Sequence, residues 1–135
     1  MKNQFIAKAL KQVEEFHNSF GVENNETPTA QLSFEDVKLR FELMKEENEE
    51  YLEAAENKDL NEIADALGDQ LYILMGTVLK HGLQDKIIPV FNEIHRSNMS
   101  KLGSDRKPIY RADGKVLKGE NYSEPDIDSI IKNER

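Results

Sequence analysis

The sequence of 135 residues predicts an all-α fold, a bundle of four helices followed by a short C-terminal hairpin and tail. Apolar residues recur every three or four positions through most of residues 2–102, which is the period of an amphipathic helix. Capping and turn residues divide this segment into helices, and the period ends near residue 103. We therefore expect a single domain, 1–135, with a helical core at about 2–102 and a basic tail at about 103–135.

The first helix is predicted at residues 2–20 and ends before Gly21. Its apolar stripe is Phe5, Ala9, Val13, Phe16 and Phe20. Glu14 and His17 form a Glu-x-x-His pair, a ligand motif of di-iron bundles. Those bundles need two such pairs, and no other histidine here has an acid three residues before it. We interpret His17 as a packing or hydrogen-bonding residue.

The next two helices carry clear start signals. Ser33 with Asp36 three residues later, and Asp59 with Glu62, are capping-box patterns. The third helix is apolar nearly all round and ends at His81-Gly82, so we expect it to be the most buried. Arg40, two turns before Glu47, is predicted to pair with an acid, with an anionic ligand as the weaker alternative.

The remaining chain predicts a fourth helix and a tail. The helix runs from about residue 85 to 102, with Pro89 tolerable only near its first turn. Beyond it, Asp113-Gly114 indicates a small hairpin or ordered loop. Glu124-Pro125 is predicted to open a short helix that continues to Ile131.

Two acid clusters lie on the second and third helices, at spacings that place each cluster on one helix face. The clusters are Glu46, Glu47 and Glu50, and Glu62, Asp65 and Asp69. If the helices fold back as a hairpin, the acids meet, and two unit charges ~4 Å apart repel by roughly 4 kcal/mol at a dielectric near 20. Oxygen ligands suit hard cations, Mg²⁺ first and then Mn²⁺ or Ca²⁺. Solvated helix faces are the alternative, and Glu62 has a second alternative as a capping-box residue.

The composition of the chain argues against some classes of partner and in favour of others. The formal net charge is -8, which disfavours a nucleic acid polymer as partner. Basic residues concentrate between positions 95 and 118, which suits a small polyanion bridged by metal. The chain has no cysteine, which is compatible with the cytoplasm. No apolar run approaches the ~20 residues of a membrane span.

Several segments together resemble a known superfamily. Glu47-Asn-Glu-Glu50 followed by Glu62-Ile-Ala-Asp65 is similar to the E-x-x-E…E-x-x-D pattern of the all-α nucleoside triphosphate pyrophosphohydrolases. That superfamily includes MazG-type enzymes, dimeric dUTPases and phosphoribosyl-ATP pyrophosphohydrolases. The resemblance extends over FHNSFG, RFELMKEENEEYLEA, ALGDQLYILMG, SNMSKLG and GKVLKGENY, and so over most of the chain.

The resemblance implies a site and an assembly. It implies a MazG-like bundle paired as a homodimer or homotetramer, with Mg²⁺ (or Mn²⁺ as a substitute) held by Glu47, Glu50, Glu62 and Asp65. Asp69 is a secondary candidate ligand, and Glu47 or Glu46 is the candidate base. The residues expected on the substrate and its phosphates are Asn98, Lys101, Lys115, Lys118, Tyr122 and, weakly, Arg40.

The implied reaction is hydrolysis of a (deoxy)nucleoside triphosphate to the monophosphate and pyrophosphate, with house-cleaning of non-canonical nucleotides as one role. The base stays open, and phosphoribosyl-ATP is disfavoured by the long lysine-rich tail. One alternative is a non-catalytic, metal-binding helical dimer with a regulatory role. The other is a carboxylate-bridged iron or manganese oxidoreductase, against which the missing second Glu-x-x-His pair argues.

Overall fold

The computed structural model describes residues 4–133 and is mostly helical. Its elements in order are α1 (Gln4–Phe20), α2 (Phe34–Glu56), α3 (Leu60–Lys80), α4 (Ile87–Met99), β1 (Ile109–Tyr110), β2 (Val116–Leu117) and α5 (Ile127–Lys132). The chain forms two compact units, Met1–Asp85 with α1 to α3 and Lys86–Arg135 with the rest. The predicted all-α class is confirmed, and residues 2 and 3 of the predicted first helix lie outside the described residues.

Side-chain caps set where α2 and α3 begin. The Ser33 hydroxyl accepts a hydrogen bond from the backbone N–H of Asp36 at 3.1 Å. The Asp59 carboxylate accepts one from the N–H of Glu62 at 3.2 Å. Each cap satisfies a helix N–H that has no partner within the helix. Both predicted helix starts are therefore confirmed.

Glycines with left-handed backbone end α1 and α3. Gly21 has φ 73° and Gly82 has φ 66°. After each of them the chain closes a Schellman-type bond, from Val22 N–H to the His17 carbonyl at 2.8 Å and from the residue after Gly82 to the Val78 carbonyl at 3.0 Å. Both predicted helix ends are confirmed.

The core of the first unit is built on α3, which packs against both α1 and α2. Its buried residues outnumber those of any other described helix and are Ala66, Met75, Gly76, Val78, Leu79 and Lys80. The loop after α1 satisfies the last carbonyls of α3, since Asn25 donates to the carbonyls of Leu79 (3.0 Å) and Lys80 (2.6 Å). His17 is buried and its Nδ1 lies 2.5 Å from Asn24 Oδ1. The prediction of a hydrogen-bonded packing histidine is confirmed.

In the second unit, β1 and β2 pair antiparallel, with Tyr110 opposite Val116, and form the predicted small hairpin. Pro89 lies in the first turn of α4, as expected. The prediction for α5 is wrong at its start, because the helix begins at Ile127 instead of Pro125. The Asp126 carboxylate accepts from the backbone N–H of Ser129, so Asp126 is the N-cap and Pro125 precedes the helix.

Glu93 on α4 holds the segment that leads into α5. Its carboxylate accepts two bonds from the Arg96 guanidinium, at 2.9 and 2.8 Å, and one from the N–H of Asp126 at 2.8 Å. Arg96 also donates to the Glu124 carbonyl at 3.1 Å. The hydrogen bonds from Arg96, and then from Asp126, lower the pKa of Glu93 to about 2.

We expect acid to release the segment around Asp126 from α4. Because the folded pKa of Glu93 lies below its ordinary value of 4.5, its contribution is complete above about pH 4.5 and is lost as the pH falls towards 2. Hydrogen exchange of residues 123–130, corrected for intrinsic rates, should rise over that interval. Glu93→Ala should show the fast exchange already at pH 6, whereas Glu120→Ala, an exposed acid of the same unit, should not. Equal exchange in all three proteins would refute the role of Glu93.

Within residues 4–133, none of the helices is long and apolar enough to cross a membrane.

Candidate active site

The pairing of α2 with α3 decides which acids meet. Arg40, Glu47 and Ala54 are spaced by seven residues, so they lie on the side of α2 that faces α3. Arg40 and Ala54 are buried and Glu47 is half-buried. Arg40 donates to the carbonyl of Ile73 at 2.8 Å, which fixes the register of the two helices at that level. Two turns further along α2, this register places Glu47 beside the part of α3 that carries Asp69.

Three carboxylates converge at this level. Glu47, Glu50 and Asp69 each offer one oxygen, and the three oxygens lie within 4.8 Å of one another. Glu47 Oε2 is buried and has no hydrogen-bond partner among the described residues. A buried carboxylate oxygen without a donor is costly unless a cation satisfies it. An all-oxygen set with one such oxygen fits a hard divalent cation.

The electrostatics agree with this geometry. Burial raises the pKa of Glu47 above its ordinary value, and the charges of Asp69, Glu50, Glu46 and Asp65 raise it further. The Glu47 carboxylate is therefore partly shielded from water and lies among other negatively charged carboxylates. A bound cation would reverse this penalty, since metal ligation requires and stabilises the ionised form.

The other predicted metal ligands on α3 do not belong to this group. The convergent set contains neither Glu62 nor Asp65. Glu62 is exposed in the first turn of α3, where its backbone N–H is bonded by Asp59. Asp65 is exposed, and its charge still acts on Glu47. The geometry thus gives Asp69 a more central position than the sequence pattern did, while the ligand role of each acid stays a prediction.

Arg40 is engaged inside the helix pair. Besides its bond to Ile73, its Nε donates to Thr77 Oγ1 at 3.1 Å. Burial lowers the pKa of Arg40, and the charge of Asp36 partly opposes this effect. These contacts give the guanidinium a role in holding α2 against α3, and its predicted weak contact with substrate stays a prediction.

The predicted phosphate-binding residues belong to the second unit. Asn98 is exposed near the end of α4, and the Lys101 carbonyl just after it accepts from the N–H of Gly119 at 2.8 Å. Lys118 Nζ lies 4.7 Å from the centre of the Tyr122 ring, a cation–π contact. Lys115 is exposed beside the hairpin turn. Their roles towards a substrate stay predictions.

Sequence reasoning missed two amides beside the acids. Asn48 follows Glu47 on α2 and Gln70 follows Asp69 on α3, and Gln70 Nε2 donates to Asn48 Oδ1 at 3.2 Å. The signal was present in the sequence, since each amide directly follows an acid of a cluster. Without the register of α2 against α3, this signal does not predict that the two amides meet.

Comparison with protein families gives a match over most of the helical region. The family model of phosphoribosyl-ATP pyrophosphohydrolase matches residues 13–98, well over half of the chain. This region contains the whole of α2 and α3, with both acid clusters. No curated protein matches the sequence.

Proposed function

The chain belongs to the phosphoribosyl-ATP pyrophosphohydrolase family, and from this premise we propose that it hydrolyses a nucleoside triphosphate to the monophosphate and pyrophosphate with a divalent cation. The family lies within the all-α, MazG-like nucleoside triphosphate pyrophosphohydrolases, so the chain is a hydrolase acting on phosphoanhydride bonds of nucleotides. Mg²⁺ is the proposed cation, with Mn²⁺ as a substitute. A role in clearing non-canonical nucleotides fits this reaction.

The observation that carries the proposal is the convergence of Glu47, Glu50 and Asp69 around the unpartnered Glu47 Oε2. These three residues would hold the cation. When bound, it would neutralise phosphate charge and polarise the phosphorus under attack. The acids alone would repel a triphosphate, so catalysis by this cluster requires the cation.

Glu46 is the residue we assign as general base. It is exposed and lies one helical turn before Glu50, so both project from the same side of α2. Because Glu47 would hold the cation, Glu46 remains available to accept a proton. The water oxygen attacks the α-phosphorus and its proton passes to the Glu46 carboxylate. The bond from the α-phosphorus to the bridging oxygen breaks, and pyrophosphate leaves with the electron pair.

A nucleoside triphosphate without the additional phosphoribosyl group is favoured over phosphoribosyl-ATP because the basic segment lies outside the matched residues. The match ends at residue 98, while the lysines at 101, 115 and 118 follow it. We assign Asn98, Lys101, Lys115, Lys118 and Tyr122 to binding of the substrate and its phosphates.

Replacing Lys101 or Lys118 by a neutral residue is then expected to raise KM for the nucleotide more than it lowers kcat.

We also propose that the protein works as a homodimer or homotetramer. Many large apolar side chains of the first unit are exposed, including Phe5, Leu60, Leu67 and Leu71, which are 65, 76, 46 and 47 % exposed. Leu60, Leu67 and Leu71 share one face of α3 by their spacing, and an exposed apolar face usually marks a contact with another chain. Light scattering should give a multiple of the chain mass, and Leu71→Glu should lower it. A monomer at micromolar concentration would refute this assembly.

The proposed reaction is tested by hydrolysis in ¹⁸O-labelled water. Attack at the α-phosphorus places the label in the nucleoside monophosphate and leaves the pyrophosphate unlabelled. Phosphorus NMR or mass spectrometry distinguishes the products directly. Label in pyrophosphate, or release of a nucleoside diphosphate with inorganic phosphate, would contradict the assignment.

A further inference from the structure

A groove runs beside the acid group on the α2–α3 hairpin, within the first unit. Its volume is about 460 Å³, and its lining residues are Phe41, Met44, Lys45, Asn48, Gln70 and Leu74. Pockets for small molecules typically measure about 300–1,000 Å³ and combine apolar walls with a few placed polar groups. Here the walls are apolar side chains, and the polar groups are an amide pair and one ammonium.

The amide pair leaves one NH₂ group and one carbonyl oxygen unpaired and available to a ligand. Gln70 Nε2 donates to Asn48 Oδ1 at 3.2 Å. Among residues 4–133, Asn48 Nδ2 and Gln70 Oε1 then have no partner. Turning both amides over would exchange these roles and again leave one NH₂ group and one carbonyl oxygen unpaired. The hydrogen bond between the side chains also orients both amides before a ligand arrives.

The position of the pair links the groove to the acids. Asn48 and Gln70 each follow an acid of the convergent group, Glu47 and Asp69. Neighbouring residues of a helix are separated by about 100° around its axis and ~1.5 Å along it. The amides therefore lie at the level of the carboxylates, on the adjoining side of the hairpin. Glu46, the proposed base, projects from the opposite side of α2.

We propose that this groove holds the base of the nucleotide and that the Asn48–Gln70 pair bonds its pairing edge. This inference rests on the proposed function, since the acid group would fix the phosphates next to the groove. Each of the common bases carries a hydrogen-bond donor and an acceptor side by side on its pairing edge, as the amide pair requires. Phe41, Met44 and Leu74 supply apolar and aromatic surface for the faces of the ring.

This base site predicts that the enzyme is specific for nucleotides whose base has no substituent on its pairing edge. A base methylated at its pairing-edge nitrogen, N3 of a pyrimidine or N1 of a purine, loses a group that the amides need. Leaving a polar group of a binding site unpaired costs about 1–3 kcal/mol. We therefore expect the wild-type enzyme to prefer the unmodified triphosphate over its edge-methylated analogue by about 10-fold or more in kcat/KM.

Gln70→Leu and Asn48→Leu test the assignment. Each should raise KM for the preferred nucleotide by about 10-fold, with a smaller effect on kcat, and should bring the preference over the methylated analogue close to one. Inhibition by inorganic pyrophosphate, which has no base, should be unchanged in both variants. Gln12→Leu, an exposed amide on α1, is the matched control and should keep the wild-type preference.

Each other outcome overturns the assignment in a recognisable way. If both variants keep the preference for the unmodified over the methylated nucleotide, the amide pair does not recognise the base. Parallel loss of pyrophosphate inhibition means that the amides position the acids instead. A lower oligomeric mass with unaltered kinetics means that the groove is a contact between copies. If the wild-type protein releases pyrophosphate from no nucleotide, the proposed function itself fails, and the base site falls with it.

Discussion

Asp69→Asn and Glu50→Gln are each expected to lower kcat/KM for the nucleotide by about 100-fold or more, the usual loss when one preorganised electrostatic group is removed from a site. Both residues contribute an oxygen to the group that lies within 4.8 Å around Glu47. Replacing either carboxylate by an amide keeps the shape of the side chain and removes the charge that would bind the cation. The loss should therefore accompany weaker binding of Mg²⁺, measured by calorimetry.

Glu62→Gln is the matched control for this prediction. Glu62 belongs to the sequence pattern but lies outside the convergent group, in the capped first turn of α3. We expect it to change kcat/KM by less than about 5-fold, as one exposed charge screened by water does. Asp65→Asn should fall between these limits, because the charge of Asp65 acts on Glu47 from an exposed position. A large loss in Glu62→Gln together with a small one in Asp69→Asn would restore the order that the sequence pattern implied.

Gly76→Ala is expected to have the largest effect on stability. A Cβ at this position would lie 2.6 Å from Arg40 Nη2 and 3.0 Å from His17 Nε2. Arg40 Nη2 cannot leave without losing its bond to the Ile73 carbonyl, and both neighbouring side chains are buried. Overpacking of this kind costs about 1–3 kcal/mol. The loss of a hydrogen bond from a charged group adds about 1.5–3 kcal/mol.

Gly68→Ala is the matched control on the same helix, because a Cβ there meets nothing within 4 Å. Alanine favours a helix interior over glycine by about 1 kcal/mol, so Gly68→Ala should raise the free energy of unfolding. Urea denaturation should show opposite signs for the two substitutions. In an Arg40→Met background the cost of Gly76→Ala should shrink, which a double-mutant cycle measures. Equal effects of the two glycine substitutions would contradict the proposed close packing of α1, α2 and α3.

The helices could be predicted from the sequence because their limits depend on local chemistry. Ser33 and Asp59 cap helices through bonds that span three residues, and Gly21 and Gly82 supply the backbone that ends them. These signals lie within a few positions of the feature they determine. The predicted start of α5 is wrong because the sequence contains two local start signals. Pro125 suits the first position of a helix, but Asp126 caps the helix, which therefore begins at Ile127.

The composition of the site could be predicted only in part. The acid clusters were visible as helix faces, yet which acids meet depends on the register of α2 against α3. That register follows from contacts such as Arg40 with Ile73, which are 33 residues apart in sequence. For the same reason the sequence alone does not show that Asp69 is the α3 acid that converges with Glu47 and Glu50, or that Asn48 and Gln70 are hydrogen-bonded. The tie from Glu93 to Asp126 also spans 33 residues and has no local signature.

The proposed function is tested most directly by release of pyrophosphate from a panel of canonical and modified nucleoside triphosphates, with phosphoribosyl-ATP included, in Mg²⁺ and in excess chelator. We expect release from at least one triphosphate in Mg²⁺ and none in chelator, with activity restored by Mg²⁺ or Mn²⁺. Release that persists in chelator would contradict the role of the acid group as a cation site. Confirmed binding of Mg²⁺ with no release from any member of the panel would contradict the proposed reaction and favour a non-catalytic, metal-binding protein.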